Sequence, residues 1–256
     1  MSRSSRIAAT RVDEFRAVVS QIVDAAQIRP GDAGHYEVDG CVPEVVVEPS
    51  TAEQLQQVLS EAYTAGVTVV PLGGGAHKSA GNVPESYDVA LSLTRLDHII
   101  AHESADLTVT VEPGVRLADL QARLAEHGQF VPLDPPCDAA ATIGGILSAN
   151  AQGPLRHAYG TARDWLIGVH IVHADGSMSK SGGRVVKNVA GYDMHKLYVG
   201  SLGTLGIIAE ATLKVSPLPR SEVTLVLTCR SAAQASDLVL AAHDAGLALR
   251  AAEVLS

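Results

Sequence analysis

The chain has 256 residues, of which 46% are hydrophobic and 18% charged, a composition typical of a globular protein and not of a disordered one. Its 28 acidic and 19 basic residues leave a formal net charge of −9, which argues against nucleic acid as the main partner because phosphate binding needs clustered cations. No apolar run is long enough to span a membrane, and three widely separated cysteines form no disulfide or metal-binding pattern. We therefore predict a cytoplasmic protein without a membrane span of its own.

The first elements in the chain follow a lead-in at 1–40. Its start lacks the apolar stretch of a secretory signal, and with Asp13 and Glu14 early in the chain a frayed start is predicted in preference to a transit peptide. A short valine-rich strand is predicted at 45–47. Ser50 is predicted to cap the next helix, with Glu53 three residues later as its capping-box partner. Gly66 is the expected end of that helix.

Strands and one helix alternate over the middle of the chain. In order, the predicted elements are strands at 67–70, 89–93 and 107–114, a helix from Leu117 capped by Gly128, and strands at 166–176 and 206–215. The strict alternation of apolar and polar residues at 107–114 predicts a half-buried strand.

The pattern changes after Pro219. A strand is predicted at 222–228, then a helix that Ser231 caps and Gly246 ends, and then the beginning of another strand at 247–255. One helix and two strands are too few to bury both faces of a separate sheet.

Glycines form three clusters that indicate close approach of the backbone to a ligand. They are Gly73–Gly75, the pair Gly144 and Gly145 with Gly153 and Gly160 downstream, and the series Gly200, Gly203 and Gly206. A strand that runs into a glycine-rich loop presents successive N–H groups that suit phosphate oxygens. Each cluster taken singly is also compatible with a tight turn.

Two standard phosphate motifs do not fit the first cluster. A Walker loop requires glycine where His77 and Leu72 stand, although Lys78 and Ser79 match its last two positions. A Rossmann fingerprint fails because Lys78 replaces its third glycine. The loop therefore belongs to another phosphate-binding architecture.

Several ordered segments resemble the FAD-binding domain of the vanillyl-alcohol oxidase type, also called PCMH-type. They are VVVEPSTAEQLQQVLSEAYTAGVTVVPLGGGAHKSAG, LTVTVEPGVRLADLQARLAEHG, TIGGILSANAQGPLRHAYG and GSLGTLGIIAEATLKVSPLP. Within that family, the stretch GGRVVKNVAGYDMHKL, with Lys187, Asn188 and Gly191–Asp193, is similar to the small FAD-binding subunit of bacterial glycolate oxidases. The resemblance implies an α+β fold of two subdomains that bind FAD, over 41–220, followed at 221–256 by the truncated start of a cap domain.

The resemblance also implies which residues contact FAD. The pyrophosphate loop corresponds to Leu72, Gly73, Gly74, Gly75, Ala76, His77 and Lys78. A second flavin-binding turn and its continuation correspond to Thr142, Ile143, Gly144, Gly145, Ser148, Asn150 and Gly153. A closing strand along the cofactor corresponds to Gly206, Ile207 and Ile208.

The sequence departs from the family pattern at two places, which bear on how FAD is attached and on which residue acts as the catalytic base. Some relatives attach FAD covalently to a histidine in an R-x-G-G-H loop, but Leu72 replaces the arginine and Ala76 occupies the histidine position, with His77 one residue away. We therefore expect non-covalent FAD. The second departure is the short segment after residue 220, which leaves no residue that can be assigned as the catalytic base.

The function that the resemblance implies is oxidation of a 2-hydroxy acid to a 2-oxo acid, with electrons passing through FAD to a partner. The implied partners are a larger flavin subunit and an iron–sulfur subunit, which would also provide any association with a membrane. Two alternatives stay open: a non-catalytic flavin-binding or assembly subunit, and a FAD-dependent oxidoreductase of another small substrate.

Other polar residues give weaker signals. His170 and His173 are three apart in a predicted strand and so point to opposite faces, which disfavours a shared metal, and no metal site is predicted. Asp134 is interpreted as a turn residue, Tyr192 with Asp193 as a packing pair, and Ser181 as part of a loop.

Overall fold

A computed structural model of the protein describes residues 3–31, 34–136, 138–184 and 192–254, and the side chains of residues 11–31, 34–136, 139–184 and 192–254. The fold has two halves, each built around one sheet, as the α+β prediction requires. None of the helices in these ranges is long and apolar enough to cross a membrane.

The first half is a four-stranded sheet covered by two helices. Its elements are α1 (Arg3–Val19), β1 (Ile28–Pro30), β2 (Val45–Val47), α2 (Ala52–Ala65), β3 (Val69–Leu72) and β4 (Val89–Ser92). The strand order is β1-β2-β4-β3, in which β2 and β3 run parallel to β4 and β1 is antiparallel to β2. The core of this half contains Phe15 of α1 and Leu55 of α2, both fully buried.

The second half is a five-stranded antiparallel sheet with helices packed against one face. Its elements are β5 (Ile99–Glu103), β6 (Thr108–Val111), α3 (Leu117–Ala125), β7 (Gln129–Phe130), α4 (Ile143–Ala149), α5 (Arg156–Tyr159), α6 (Ala162–Trp165), β8 (Leu166–Val172), β9 (Met178–Gly182), β10 (Ile207–Lys214) and β11 (Ser216–Pro217). Helix α7 (Ala232–Asp244) follows in the carboxyl-terminal segment. The sheet order is β5-β6-β10-β8-β9, and β11 pairs with β7. Short 3-10 helices occupy Ala25–Gln27, Asp138–Ala140 and Met194–Leu197.

The two halves share buried side chains, which fixes their relation. Val172 of β8 and Ile207 of β10 pack into the core of the first half. The neighbouring Ile171 and Ile208 pack into the core of the second half. Successive residues of a strand face opposite sides, so these two strands serve both cores.

The predicted start of α2 is wrong by one residue. Thr51 is the N-cap, and its hydroxyl accepts a hydrogen bond from the backbone N–H of Gln54. The Ser50 hydroxyl instead donates to the side-chain oxygen of Gln54. The end was predicted correctly, because Gly66 has the left-handed conformation that terminates the helix.

Three expectations from the amino-terminal and middle segments are also corrected. The predicted frayed start is helix α1, because Val12, Phe15 and Val19 bury an apolar face. Strand β6 is fully buried and not half-buried, since even its polar face is covered and Thr110 hydrogen-bonds Thr212 across the sheet. Helix α3 has Glu126 as its C-cap, two residues before Gly128.

The carboxyl-terminal segment keeps its predicted helix but not its predicted strands. Ser231 caps α7 by accepting a hydrogen bond from Gln234, as expected. Residues 222–228 and 247–254 form no strand. A strand requires a hydrogen-bonding neighbour, and within the described ranges no strand lies beside 222–228, where Val226 is 90% exposed.

Candidate functional site

A cavity of about 530 Å³ lies between the two halves, within the range of cofactor-binding cavities. It is bordered by the loop after β3, by α4 with the residues before it, and by the start of β10. The predicted site residues that line it are Leu72, Gly73, Gly74, Gly75, Ala76, His77, Lys78, Thr142, Gly144, Gly145, Ser148, Ile207 and Ile208.

Four predicted site residues lie outside the lining. Ile143 is fully buried in the core of the second half. Asn150 ends α4 in the left-handed conformation, with φ of 49°. The backbone N–H of Gly153 donates to the Asp134 carboxylate at 2.9 Å. Gly206 precedes β10 with φ of 145°, a backbone conformation that favours glycine.

Sequence reasoning did not assign several residues that line the cavity. They include Val38 from the lead-in, Asn82 and Pro84 beyond the first loop, Ala140 and Ala141 before α4, and Leu202, Gly203 and Thr204 before β10. Gly203 was recognised as part of a glycine cluster, so that cluster could have indicated this wall. Val38 reaches the cavity through tertiary packing and carries no local sequence signal.

The loop from Gly74 to Lys78 presents free backbone donors to the cavity. The N–H groups of these five residues donate no hydrogen bond to any acceptor in the part of the chain that the structure describes. These residues are half-buried. Consecutive unpaired N–H groups beside a cavity form the kind of backbone nest that binds an anionic ligand.

His77 adds an unpaired side-chain atom to the same loop. Its Nε2 is buried and has no hydrogen-bond partner among the described residues. A buried polar atom without a partner is costly, and a ligand oxygen or nitrogen in the cavity would satisfy it.

The charge of the cavity also suits an anion. None of the residues that line it is acidic, although the chain as a whole carries a net charge of −9. Lys78 does not extend freely into solvent, since its Nζ donates to the carbonyl oxygens of Gly34 at 3.0 Å and His35 at 2.8 Å. Its positive charge is therefore held beside the loop.

The turn at the start of α4 differs because its N–H groups already have partners. Ile143 donates to the carbonyl oxygen of Val115 and Gly144 to that of Pro113. Gly145 donates to the hydroxyl of Thr142, the N-cap residue. This turn borders the cavity, but all three of its N–H groups donate to acceptors of the protein itself.

Close packing between the two glycine turns explains part of their composition. A Cβ atom at Gly74 would lie 1.5 Å from the carbonyl oxygen of Ala140, and one at Gly73 would lie 2.2 Å from Oγ1 of Thr142. A Cβ atom at Gly144 would lie 2.6 Å from Cβ of Pro113. Gly73 and Gly74 therefore let the two walls of the cavity meet, and Gly144 lets the start of α4 pack against Pro113.

The remaining polar candidates lie apart from the cavity. Tyr192 is 91% exposed, so its interpretation as a packing residue is wrong, and Asp193 pairs with Lys196 at 2.7 Å. The hydrogen bond from Lys196 lowers the pKa of Asp193. Asp134 does not lie in a turn, contrary to its interpretation as a turn residue; its carboxylate accepts hydrogen bonds from the N–H groups of Gly153 and Leu155, 19 and 21 positions later.

The histidines of β8 and its turn have separate partners. His170 pairs with Glu210 at 3.1 Å, and Nε2 of His173 lies 2.7 Å from the hydroxyl of Ser179. Ser181 lies in strand β9 and not in a loop. Lys187, Asn188 and Gly191, part of the narrower resemblance, lie outside the described residues.

A family model for an FAD-binding domain matches residues 43–182, more than half of the chain. The chain belongs to this family of FAD-binding domains. FAD is therefore the cofactor of this domain, and the PCMH-type fold predicted from the sequence is confirmed.

Curated relatives connect this FAD-binding domain to enzymes of 2-hydroxy acids. Glycolate oxidase subunit GlcD of Bacillus subtilis is 35% identical over 72% of the chain and 39% of its own length. The mitochondrial D-lactate dehydrogenase [cytochrome] of Arabidopsis thaliana is 32% identical over 89% of the chain and 39% of its length. D-2-hydroxyglutarate dehydrogenase of Xanthomonas citri pv. viticola is 34% identical over 81% and 46%. The chain thus spans less than half of each relative.

Solved structures share the fold of the FAD-binding domain. An alkyldihydroxyacetonephosphate synthase superposes with a TM-score of 0.70 and 23% identity, over 82% of the chain and 41% of the synthase. A variant of Phl p 4, described as a glucose oxidase, superposes with a TM-score of 0.65 and 18% identity, over 80% of the chain and 44% of its own. At these identities the similarity shows the fold.

Proposed function

We propose that the chain is the FAD-binding component of an oxidoreductase that converts a 2-hydroxy acid to a 2-oxo acid and passes the electrons through FAD to a partner subunit. The observation that carries the FAD part is the row of unpaired N–H groups at 74–78 beside a cavity without carboxylates. The substrate class is supported by three relatives whose names specify glycolate, D-lactate and D-2-hydroxyglutarate.

The residues of the cavity divide into three roles in this proposal. The loop Gly74–Lys78 binds the pyrophosphate through its N–H groups, and His77 donates or accepts through Nε2. Thr142, Gly145 and Ser148 form the opposite wall, and Ile207 and Ile208 pack along the cofactor. Ile143, Asn150, Gly153 and Gly206 shape the backbone behind these walls. FAD supplies the two-electron redox chemistry.

The proposed attachment of FAD is non-covalent. Ala76 stands at the position where some relatives carry the histidine that attaches to FAD. We expect the purified chain to show the absorption of oxidised flavin, and acid or heat followed by removal of the protein to leave free FAD in solution. A protein that takes up no FAD would overturn the site, whereas flavin that stays with the denatured protein would overturn only the non-covalent attachment.

The substrate class is tested by anaerobic reduction of the bound flavin. Glycolate, D-lactate and D-2-hydroxyglutarate are added separately, with L-lactate as the stereochemical control, and bleaching of the flavin absorption is followed. Bleaching by one of the three acids supports the proposal. If none reacts, the experiment is repeated after reconstitution with a larger flavin subunit and an iron–sulfur subunit, and failure there also would overturn the substrate class.

A non-catalytic flavin-binding or assembly subunit is the second candidate. One observation favours it: the titratable side chains that line the cavity are His77 and Lys78, and the Nζ of Lys78 is engaged by two carbonyl oxygens. A proton acceptor for substrate would then come from the partner. Flavin that is reduced only in the reconstituted complex is the result that separates this candidate from the first. Reduction by an unrelated small alcohol would favour the remaining alternative, a FAD-dependent oxidoreductase of another small substrate.

The proposal includes an FAD-binding domain bounded by residues 41 and 220. It also includes association with a membrane through a complex. Residues 28–30 pair with β2, so the lead-in contributes a strand to the first sheet. Limited proteolysis with and without FAD would show whether 41–220 is the protected unit.

A further inference from the structure

A second cleft lies on the outer face of the five-stranded sheet. Its volume is about 280 Å³, and it shares no lining residue with the FAD cavity. It is formed by β8, β9 and β10 together with the residues that follow β9. We call it the outer cleft.

The register of the strands explains why the outer cleft exists. Glu210, His170 and Lys180 are paired residues on three adjacent strands and form one row across the sheet. In the next row, Thr212 is opposite Gly168, and Gly168 is opposite Gly182. Two positions without side chains beside a row of long side chains leave a depression in the sheet surface.

Packing requires glycine at two positions of the cleft region but not at a third. A Cβ atom at Gly168 would lie 2.9 Å from the backbone nitrogen of Gly183, and Gly182 has φ of 73°. A Cβ atom at Gly183 would meet no atom of the described residues within 4 Å, and its φ lies outside the left-handed region. Gly183 therefore keeps open a space that the packing of the described residues does not require.

The charges that border the outer cleft are predominantly positive. Lys180 and Arg184 are exposed, and neither forms an ion pair with the carboxylates of the described residues. The one carboxylate in the lining, Glu210, pairs with Nδ1 of His170 at 3.1 Å, and Nε2 of that histidine has no hydrogen-bond partner among the described residues. The hydroxyl of Thr212 is occupied by Thr110 at 3.0 Å.

We propose that the outer cleft binds a small oxyanion, a carboxylate or a phosphate, between Lys180 and Arg184. The ammonium group offers three donors and the guanidinium group a planar fork that matches two oxygens of one ligand. His170 closes the inner side of the site, and the open space at Gly183 takes the body of the ligand. This site is separate from the FAD site and does not depend on the proposed substrate.

Titration calorimetry on the FAD-saturated chain tests the proposal. The probes are inorganic phosphate and oxalate, titrated separately at constant low chloride, and saturation of the FAD cavity prevents either probe from binding there. We expect one site to saturate, and the tighter of the two probes identifies a phosphate or a carboxylate as the ligand class. The absence of saturable binding by both probes would overturn the proposal.

Two kinds of variant locate the binding. Lys180→Gln and Arg184→Gln should each weaken the tighter probe about tenfold through loss of a charge-assisted hydrogen bond. Gly183→Val leaves the charge unchanged and should abolish binding by filling the cleft. Arg123→Gln is the matched control, because it makes the same change of charge on exposed helix α3 and should leave binding unaltered.

Flavin absorption and the thermal midpoint establish that each variant is folded. If a charge variant fails to fold, Gly183→Val alone decides the result. Binding that survives in Gly183→Val and in the folded charge variants would refute the outer cleft as the site. If the chain retains no FAD, the same titrations on the FAD-free protein still separate the two sites, because none of these substitutions lies in the FAD cavity.

Discussion

The two glycine-rich turns beside the FAD cavity use glycine in different ways. The loop at 74–78 leaves its N–H groups unpaired, whereas the turn at 143–145 donates all three of its N–H groups to Val115, Pro113 and Thr142. Both turns border the same cavity. One turn therefore has backbone donors available for a ligand, as proposed, whereas the other uses its donors to hold the cavity wall in place, although their sequences suggest the same role.

The largest expected effect is at Gly74, where the binding loop meets the opposite wall. Gly74→Ala would place Cβ 1.5 Å from a carbonyl oxygen, so the backbone must move. We expect the free energy of unfolding without FAD to fall by more than about 4 kcal/mol, measured by urea denaturation.

Gly145→Ala is the control for that substitution. Its Cβ atom would meet only Oγ1 of Thr142, at 3.2 Å, so stability should change by less than about 1 kcal/mol. If Gly74→Ala unfolds at the same urea concentration as this control, the contact between the two turns is not rigid.

A smaller loss of stability is expected at Gly144. Gly144→Ala crowds the side chain of Pro113 at 2.6 Å, and overpacking of this kind costs about 1–3 kcal/mol. Because the turn at 143–145 has no free donors, we expect the variant to lose stability while its FAD affinity, corrected for the folded fraction, stays unchanged. A variant of normal stability that had lost FAD would show that the second turn contacts the cofactor more closely than proposed.

Thr142→Val removes the hydroxyl that caps α4 and leaves the N–H of Gly145 without its acceptor. The loss of an N-cap costs about 1 kcal/mol, seen as a lower midpoint in thermal unfolding of the FAD-free protein. Thr142→Ser should restore most of the midpoint because it keeps the acceptor. Equal midpoints for the valine and serine variants would contradict the capping role.

The smallest effect on the fold is expected from His77→Ala. Its Nε2 has no partner among the described residues, so the substitution should leave the stability of the FAD-free chain unchanged. FAD affinity should fall about fivefold, corresponding to one lost hydrogen bond of about 1 kcal/mol, measured by equilibrium dialysis. Lower stability with unchanged FAD affinity would show that His77 stabilises the fold and does not contact FAD.

Local signals in the sequence predicted much of the fold and the approximate place of the site. The end of α2 at Gly66 and the start of α7 at Ser231 depend on neighbouring residues alone, and both predictions were confirmed. The clustered glycines likewise indicated the walls of the cavity.

The remaining features depend on residues far apart in the chain. The second turn is saturated by carbonyl groups of Pro113 and Val115, some 30 positions earlier, and no local pattern reveals that pairing. The strand predicted at 222–228 failed for a related reason, since its residues are typical of a strand but cannot supply the neighbour with which it would pair.

The absence of carboxylates from the cavity wall has a kinetic consequence. FAD carries a negatively charged pyrophosphate, and from a distance it meets a molecule whose net charge is −9. Repulsion opposes the encounter, whereas the local surroundings favour the cofactor once it has arrived. Dissolved salt screens the long-range repulsion more than the short contacts inside the cavity, so moderate ionic strength should accelerate the arrival of FAD more than it accelerates its departure.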